Sequence, residues 1–134
     1  MKSIVVGVKM GEILEDGRAH PPLKVSKEER ERILRRAEER GSILYEGATD
    51  ALNDVYTWRQ EGETELEVYG YSANQCVFGW VLGALGWGYR VYVPLGYIIP
   101  IPGRDFKLEA QPELSKHNRY YSGEFLVFEP IKEK

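Results

Sequence analysis

The reading of this chain turns on Glu65 to Pro94, ELEVYGYSANQCVFGWVLGALGWGYRVYVP. Leu66, Val68 and Tyr69 are strand formers that follow a charged run. Gly70-Tyr71-Ser72-Ala73-Asn74 breaks the pattern. Val77 to Trp87 is apolar, with small residues at helical spacing. Gly88 suits the cap of that helix, and Arg90-Val91-Tyr92-Val93 reads as a strand again. The stretch is therefore strand, tight turn, helix, strand. Cys76, the sole cysteine of the chain, falls where the turn meets the helix. A thiol there is acidified by the positive end of the helix dipole and opens onto the crevice at the carboxyl end of a strand.

Working outward, Lys2 to Met10 (KSIVVGVKM) is nearly continuously apolar, as suits a strand buried on both faces. Glu12 to Val25 carries Gly17, His20, Pro21 and Pro22 and reads as a loop. Ser26-Lys27-Glu28-Glu29 is a capping box, which starts a helix that stops at Gly41. Its apolar stripe is Ile33, Leu34 and Ala37, and Glu interleaves with Arg elsewhere, so a solvated outer helix is expected. Ser42 to Glu46 reads as a short strand. Thr49 or Asp50 then caps a helix with Leu52, Val55 and Tyr56 on its inner face, ending near Gly62. The alternation β-α-β-α-β-α-β predicts an α/β fold, three-layer α/β/α with a mostly parallel, doubly wound sheet, over a single domain of residues 1–134.

Beyond Val93, the Pro-rich Pro94–Gly103 segment is expected as an extended arm, on a neighbouring subunit or over the site. Glu113–Tyr121 reads as a short helix, Tyr120 and Tyr121 as packing residues, and Glu124–Phe128 as a last strand at the sheet edge. The helix after Cys76 is apolar nearly all round, which calls for cover on both sides. A homo-oligomer through the Val77–Trp87 helix or the Pro94–Gly103 arm is the expectation.

The chain has 134 residues and a net charge of -3, which argues against general nucleic-acid binding. The apolar stretch from Val77 is too short to span a bilayer. The first residues lack a signal-peptide pattern, and a cytoplasmic location is expected. One cysteine makes neither an internal disulfide nor a cysteine-based zinc site. No cofactor and no metal are expected.

Gly70 to Val77 (GYSANQCV), followed by Ala84 to Val93 (ALGWGYRVYV), resembles the nucleophile segment of the isochorismatase-like cysteine hydrolases, the superfamily that includes nicotinamidases. The likeness covers roughly thirty residues, and the N-terminal half follows the family's order more loosely. It implies a Cys nucleophile at Cys76 and an oxyanion held by the backbone amides of Ser72 and Cys76. It also implies an Asp base ending the first strand, a Lys from a central strand, and amide cleavage through a thioester.

This sequence departs from that pattern. Val8 stands where the Asp belongs, and the segment carrying the Lys is missing, since Tyr45-Glu46-Gly47 runs almost directly into the next helix. Nor does the metal-binding Asp/His pattern of nicotinamidases appear. Glu46, Asp50 and Lys9 are the candidate replacements, with Glu46 preferred because strand carboxyl ends share one rim. The expectation is a hydrolase acting on a small amide or related substrate through Cys76 and Glu46. The alternative is a non-catalytic, oligomeric relative that binds a small-molecule ligand or serves a structural role.

Overall fold

The computed structural model describes residues 1–6, 27–45, 48–71, 77–99 and 116–131. Among these the strands are β1 (Lys2–Val6), β2 (Ile43–Tyr45), β3 (Glu65–Tyr71), β4 (Arg90–Pro94), β5 (Ile98–Ile99), β6 (Arg119–Ser122) and β7 (Phe125–Phe128). The helices are α1 (Lys27–Arg40), α2 (Ala48–Gln60) and α3 (Phe78–Gly86), with a 3-10 turn at Leu95–Tyr97.

The strands form one mixed sheet in the order β2-β1-β3-β4-β7-β6, with β5 beside β3. β2, β1, β3 and β4 run parallel, and β7 turns antiparallel to β4 and to β6. The α/β class and the mostly parallel sheet are thus observed. Each helix connects two parallel strands, which no tight hairpin can do.

Alternation along the central strands divides their side chains by face. Ile4, Val6, Leu66 and Val68 join Val55 of α2 and Val77, Phe78, Trp80, Val81, Ala84 and Leu85 of the third helical segment in the main apolar core. Ser3, Glu67 and Tyr69 take the other face, where α1 lays Ile33, Arg36 and Ala37 against the sheet. All three helices end on a glycine in the left-handed region, Gly41, Gly62 and Gly88. At Gly41 the Ser42 amide reaches back to the Ala37 carbonyl at 2.8 Å, which satisfies a carbonyl the helix leaves open.

Several expectations are corrected. α1 is not a solvated outer helix throughout, because Arg36 is buried and paired. Tyr56 of α2 is exposed rather than inner, while Val55 is fully buried. On α3, where cover by a second subunit is expected, Gly79, Gly83 and Gly86 meet open space among the described residues where a Cβ would stand. The segment after Pro94 folds back onto its own sheet as far as Ile99, so it is not an arm over that length. Arg119–Ser122 is a strand rather than the end of a helix, because Gly123-Glu124 turns the chain into a hairpin with β7. β7 is accordingly internal, β6 is the edge, and Tyr120 and Tyr121 are exposed rather than packed. No helix among the described residues is long and apolar enough to cross a membrane.

Candidate functional site

Parallel strands present their carboxyl ends on one rim, and the register fixes which ends meet. Val6, the last residue of β1, stands between Tyr45 of β2 and Gly70 of β3. Beyond β3, Ile98 and Ile99 of β5 pair with Gly70 and Tyr71. Val77, the residue after Cys76, is helical (φ -63°, ψ -49°) and leads into α3. The described residues therefore bring to one rim the strand ends that precede Gly7, Glu46 and Ser72.

Gly70 is the tightest point of this rim. Its φ of +119° is one that residues with a side chain rarely adopt. A Cβ there would stand 2.3 Å from the Val6 carbonyl oxygen and 3.0 Å from its amide nitrogen. Both neighbours are backbone and have nowhere to go. The sheet closes on Gly70 one residue before β3 ends at Tyr71.

Ser72, Cys76 and Glu46 themselves lie outside the described residues, as do Lys9 and Val8. Asp50 is in the first turn of α2, and its side chain is outside the described set. The Ser26 capping box and the Pro100–Gly103 part of the expected arm also lie outside it.

The opposite face of β3 holds a charged cluster that the sequence reading did not anticipate. Glu67 is fully buried. Arg36 and Arg40 each place a guanidinium nitrogen 3.1 Å from its Oε2, and Ser3 Oγ donates to Oε1 at 2.6 Å. Ser42 Oγ lies 2.6 Å from Ser3 Oγ, and the Tyr69 hydroxyl lies 2.7 Å from Ser42 Oγ. Because Ser3 spends its proton on the carboxylate, it accepts from Ser42, which in turn accepts from Tyr69. The chain of hydroxyls thus points toward Glu67. Burial pushes the Tyr69 phenol above its ordinary value, since a phenolate there would lose its water.

Arg36 also binds Glu124 at 2.9 Å and lies under three rings, Tyr97 at 4.4 Å, Tyr69 at 5.5 Å and Phe125 at 5.9 Å. One side chain therefore ties α1 to β3, to the 3-10 turn and to the β6–β7 hairpin. Two signals pointed to the cluster. Arg36 and Arg40 share the helical face of Ile33 and Ala37, at spacings of three, four and seven residues from Ile33. Glu67 sits between Leu66 and Val68 in a strand with apolar neighbours, and a buried acid demands cationic partners. Both carboxylate oxygens of Glu67 are committed to internal pairing, so its chemistry is that of a fastener, while Arg36 Nε is buried without a hydrogen-bond partner among the described residues.

A shallow polar groove lies at the opposite rim, lined by Thr64, Glu65, Gly88, Arg90, Glu129 and Pro130. Arg90 there is held at 3.5 Å from Glu129 and 3.9 Å from Glu65. Comparison of the chain with protein-family models, with curated proteins and with solved structures finds no match.

Proposed function

We propose that the chain is a shortened cysteine hydrolase of the isochorismatase-like kind, three-layered and doubly wound, acting in the cytoplasm on a small amide or a related bond. The observation that carries this reading is Gly70. The segment that begins with it has the family's sequence, and Gly70 stands near the end of β3 at a position where nothing larger than hydrogen fits against Val6. The strand order β2-β1-β3 adds support. α1 carries the chain from β1 to β2 on the Glu67 face, α2 carries it from β2 past β1 to β3 on the opposite face, and in open α/β sheets ligands bind where the strand order reverses in this way, outside the strand carboxyl ends.

In this reading the Cys76 thiolate attacks the carbonyl carbon of the amide. The negative charge moves to the carbonyl oxygen and is met by the Ser72 and Cys76 amides. The C–N bond then breaks, with Glu46 as the acid that protonates the leaving amine. Water hydrolyses the thioester and returns the thiol. A second copy of the chain covers the bare face of α3, where Gly79, Gly83 and Gly86 allow close backbone approach beside exposed Trp87 and Tyr56.

A second reading, a non-catalytic ligand-binding relative, is favoured by one observation. Among the described residues the fully buried carboxylate is Glu67, and it is held by two guanidiniums rather than poised as a base. Mass spectrometry of the intact protein mixed with small primary amides distinguishes the two. A transient acyl adduct on Cys76, absent in Cys76→Ser, is expected of the hydrolase. Free product without an adduct in any mixture, or no turnover at all, would contradict it.

A further inference from the structure

β4 pairs with β3 only over Glu65–Glu67, and β5 resumes the pairing at Gly70 and Tyr71. Between the two, Val93–Tyr97 on one side faces only Val68 and Tyr69 on the other. Pro94 starts this excursion and Leu95–Tyr97 completes it as a 3-10 turn, anchored where the Leu95 amide donates to the Glu124 carbonyl at 3.1 Å. The ladder that resumes is two residues long. A pairing so short does not hold itself in place, because ordering each residue costs about 1–2 kcal/mol.

The residue just before β5 supplies the missing hold. The Tyr97 ring has the Arg36 guanidinium 4.4 Å from its centroid and the Arg32 guanidinium at 4.9 Å. Its edge meets Tyr69 of β3 at 6.4 Å. The Arg32 guanidinium also donates to the carbonyl of Gly96. Arg32 and Arg36 are one helical turn apart on α1, and Arg36 is fixed from behind by Glu67 and Glu124.

We infer that Arg32, Arg36 and Tyr97 form a clamp that presses β5 against the last two residues of β3 and so fixes the position of Tyr71, the residue that precedes Ser72 in the sequence. The three are positioning residues: they act through β5 on the end of β3. The part of this inference that concerns Cys76 rests on the hydrolase reading, and the clamp itself does not.

Hydrogen exchange by mass spectrometry on the full chain tests the clamp, with β1 as internal reference. Tyr97→Leu removes the ring that the cations face, and Tyr97→Phe keeps it. Exchange in peptides covering Gly70 and Tyr71 is expected to quicken about tenfold in Tyr97→Leu and to stay within about twofold of the parent in Tyr97→Phe. Arg32→Ala, at an exposed position, should quicken the same peptides without endangering the fold. Parent-like exchange there in both Tyr97→Leu and Arg32→Ala would overturn the clamp. The rate of Cys76 alkylation by iodoacetamide at pH 7 is read on the same proteins. An ordinary rate in the parent would sink the hydrolase reading while the exchange data still judge the clamp. A fast rate that is equal in the parent and both variants would show that the clamp does not govern the thiol.

Discussion

Gly70 and Val6 meet at the carboxyl ends of β3 and β1 so closely that a Cβ on Gly70 would lie 2.3 Å from the Val6 carbonyl oxygen. Two costs coincide at this position, a left-handed backbone and a contact with atoms that cannot retreat. Gly70→Ala should therefore destabilise the fold by about 2–4 kcal/mol, at the upper end of single substitutions. Urea unfolding measures it. Gly79→Ala on α3, where a Cβ meets open space, is the matched control and should not destabilise the chain at concentrations low enough to keep it monomeric.

The same open face separates two roles of glycine. In an isolated chain, Gly83→Ala should stabilise α3 by about 0.5–1 kcal/mol, because alanine favours the helix and nothing obstructs it. If a second copy packs against this face, the added methyl groups of Gly79→Ala and Gly83→Ala must hold the helices apart. The expected result is a mass by light scattering that falls toward the monomer while urea resistance at low concentration rises. An unchanged mass would remove α3 from the interface.

Glu67 and Arg36 make the next pair of expectations. Arg36→Met leaves the buried carboxylate with Arg40 as its remaining guanidinium and should cost about 3–5 kcal/mol. Glu67→Gln keeps an acceptor for Ser3 and leaves Arg36 on Glu124, so it should cost less, about 1–2 kcal/mol. Chemical denaturation at neutral pH orders the two. A Glu67→Gln protein less stable than Arg36→Met would contradict the assignment of Arg36 as the fastener.

Alkaline pH offers a test of the buried phenols. Tyr69 and Tyr89 are fully buried, and desolvation holds both above the ordinary value of 10.0. A raised folded-state value means that the folded protein keeps protons which the unfolded chain has released. Stability is then complete below pH 10 and declines as pH rises from there through the folded values, by up to about 1.4 kcal/mol per pH unit for each proton. Tyr89→Phe forfeits the 2.6 Å bond from its hydroxyl to the Val55 carbonyl, so it starts lower at neutral pH. Its stability should fall less steeply above pH 10, and denaturation series at pH 7 and pH 10–11 read both effects.

Much of this fold was legible because its signals are local. Glu65–Tyr71, the helix into Gly41 and the helix into Gly88 follow from alternation, periodicity and a glycine able to take a left-handed cap. The hairpin was missed because its two-residue turn, Gly123-Glu124, was outweighed by the polar run before it. The refolding of Leu95–Ile99 onto β3 was not legible, since proline spacing does not reveal that two arginines on a distant helix await Tyr97. Arg36 was misread for a related reason: charge patterning describes a surface until a buried acid is paired with it. Of the candidate site, the sequence located the end of the strand that precedes Ser72, and the structure added the closure of Gly70 on Val6.

The central claim is that Cys76 is a working nucleophile in the segment that follows β3. The most direct measurement is the rate of its alkylation by iodoacetamide in the native protein between pH 5 and 10. The account predicts an apparent thiol value well below the ordinary value of about 8.5, with reaction already fast at pH 7. A native Cys76 that reacts no faster at pH 7 than a free thiol, or that reacts only after unfolding, would contradict it.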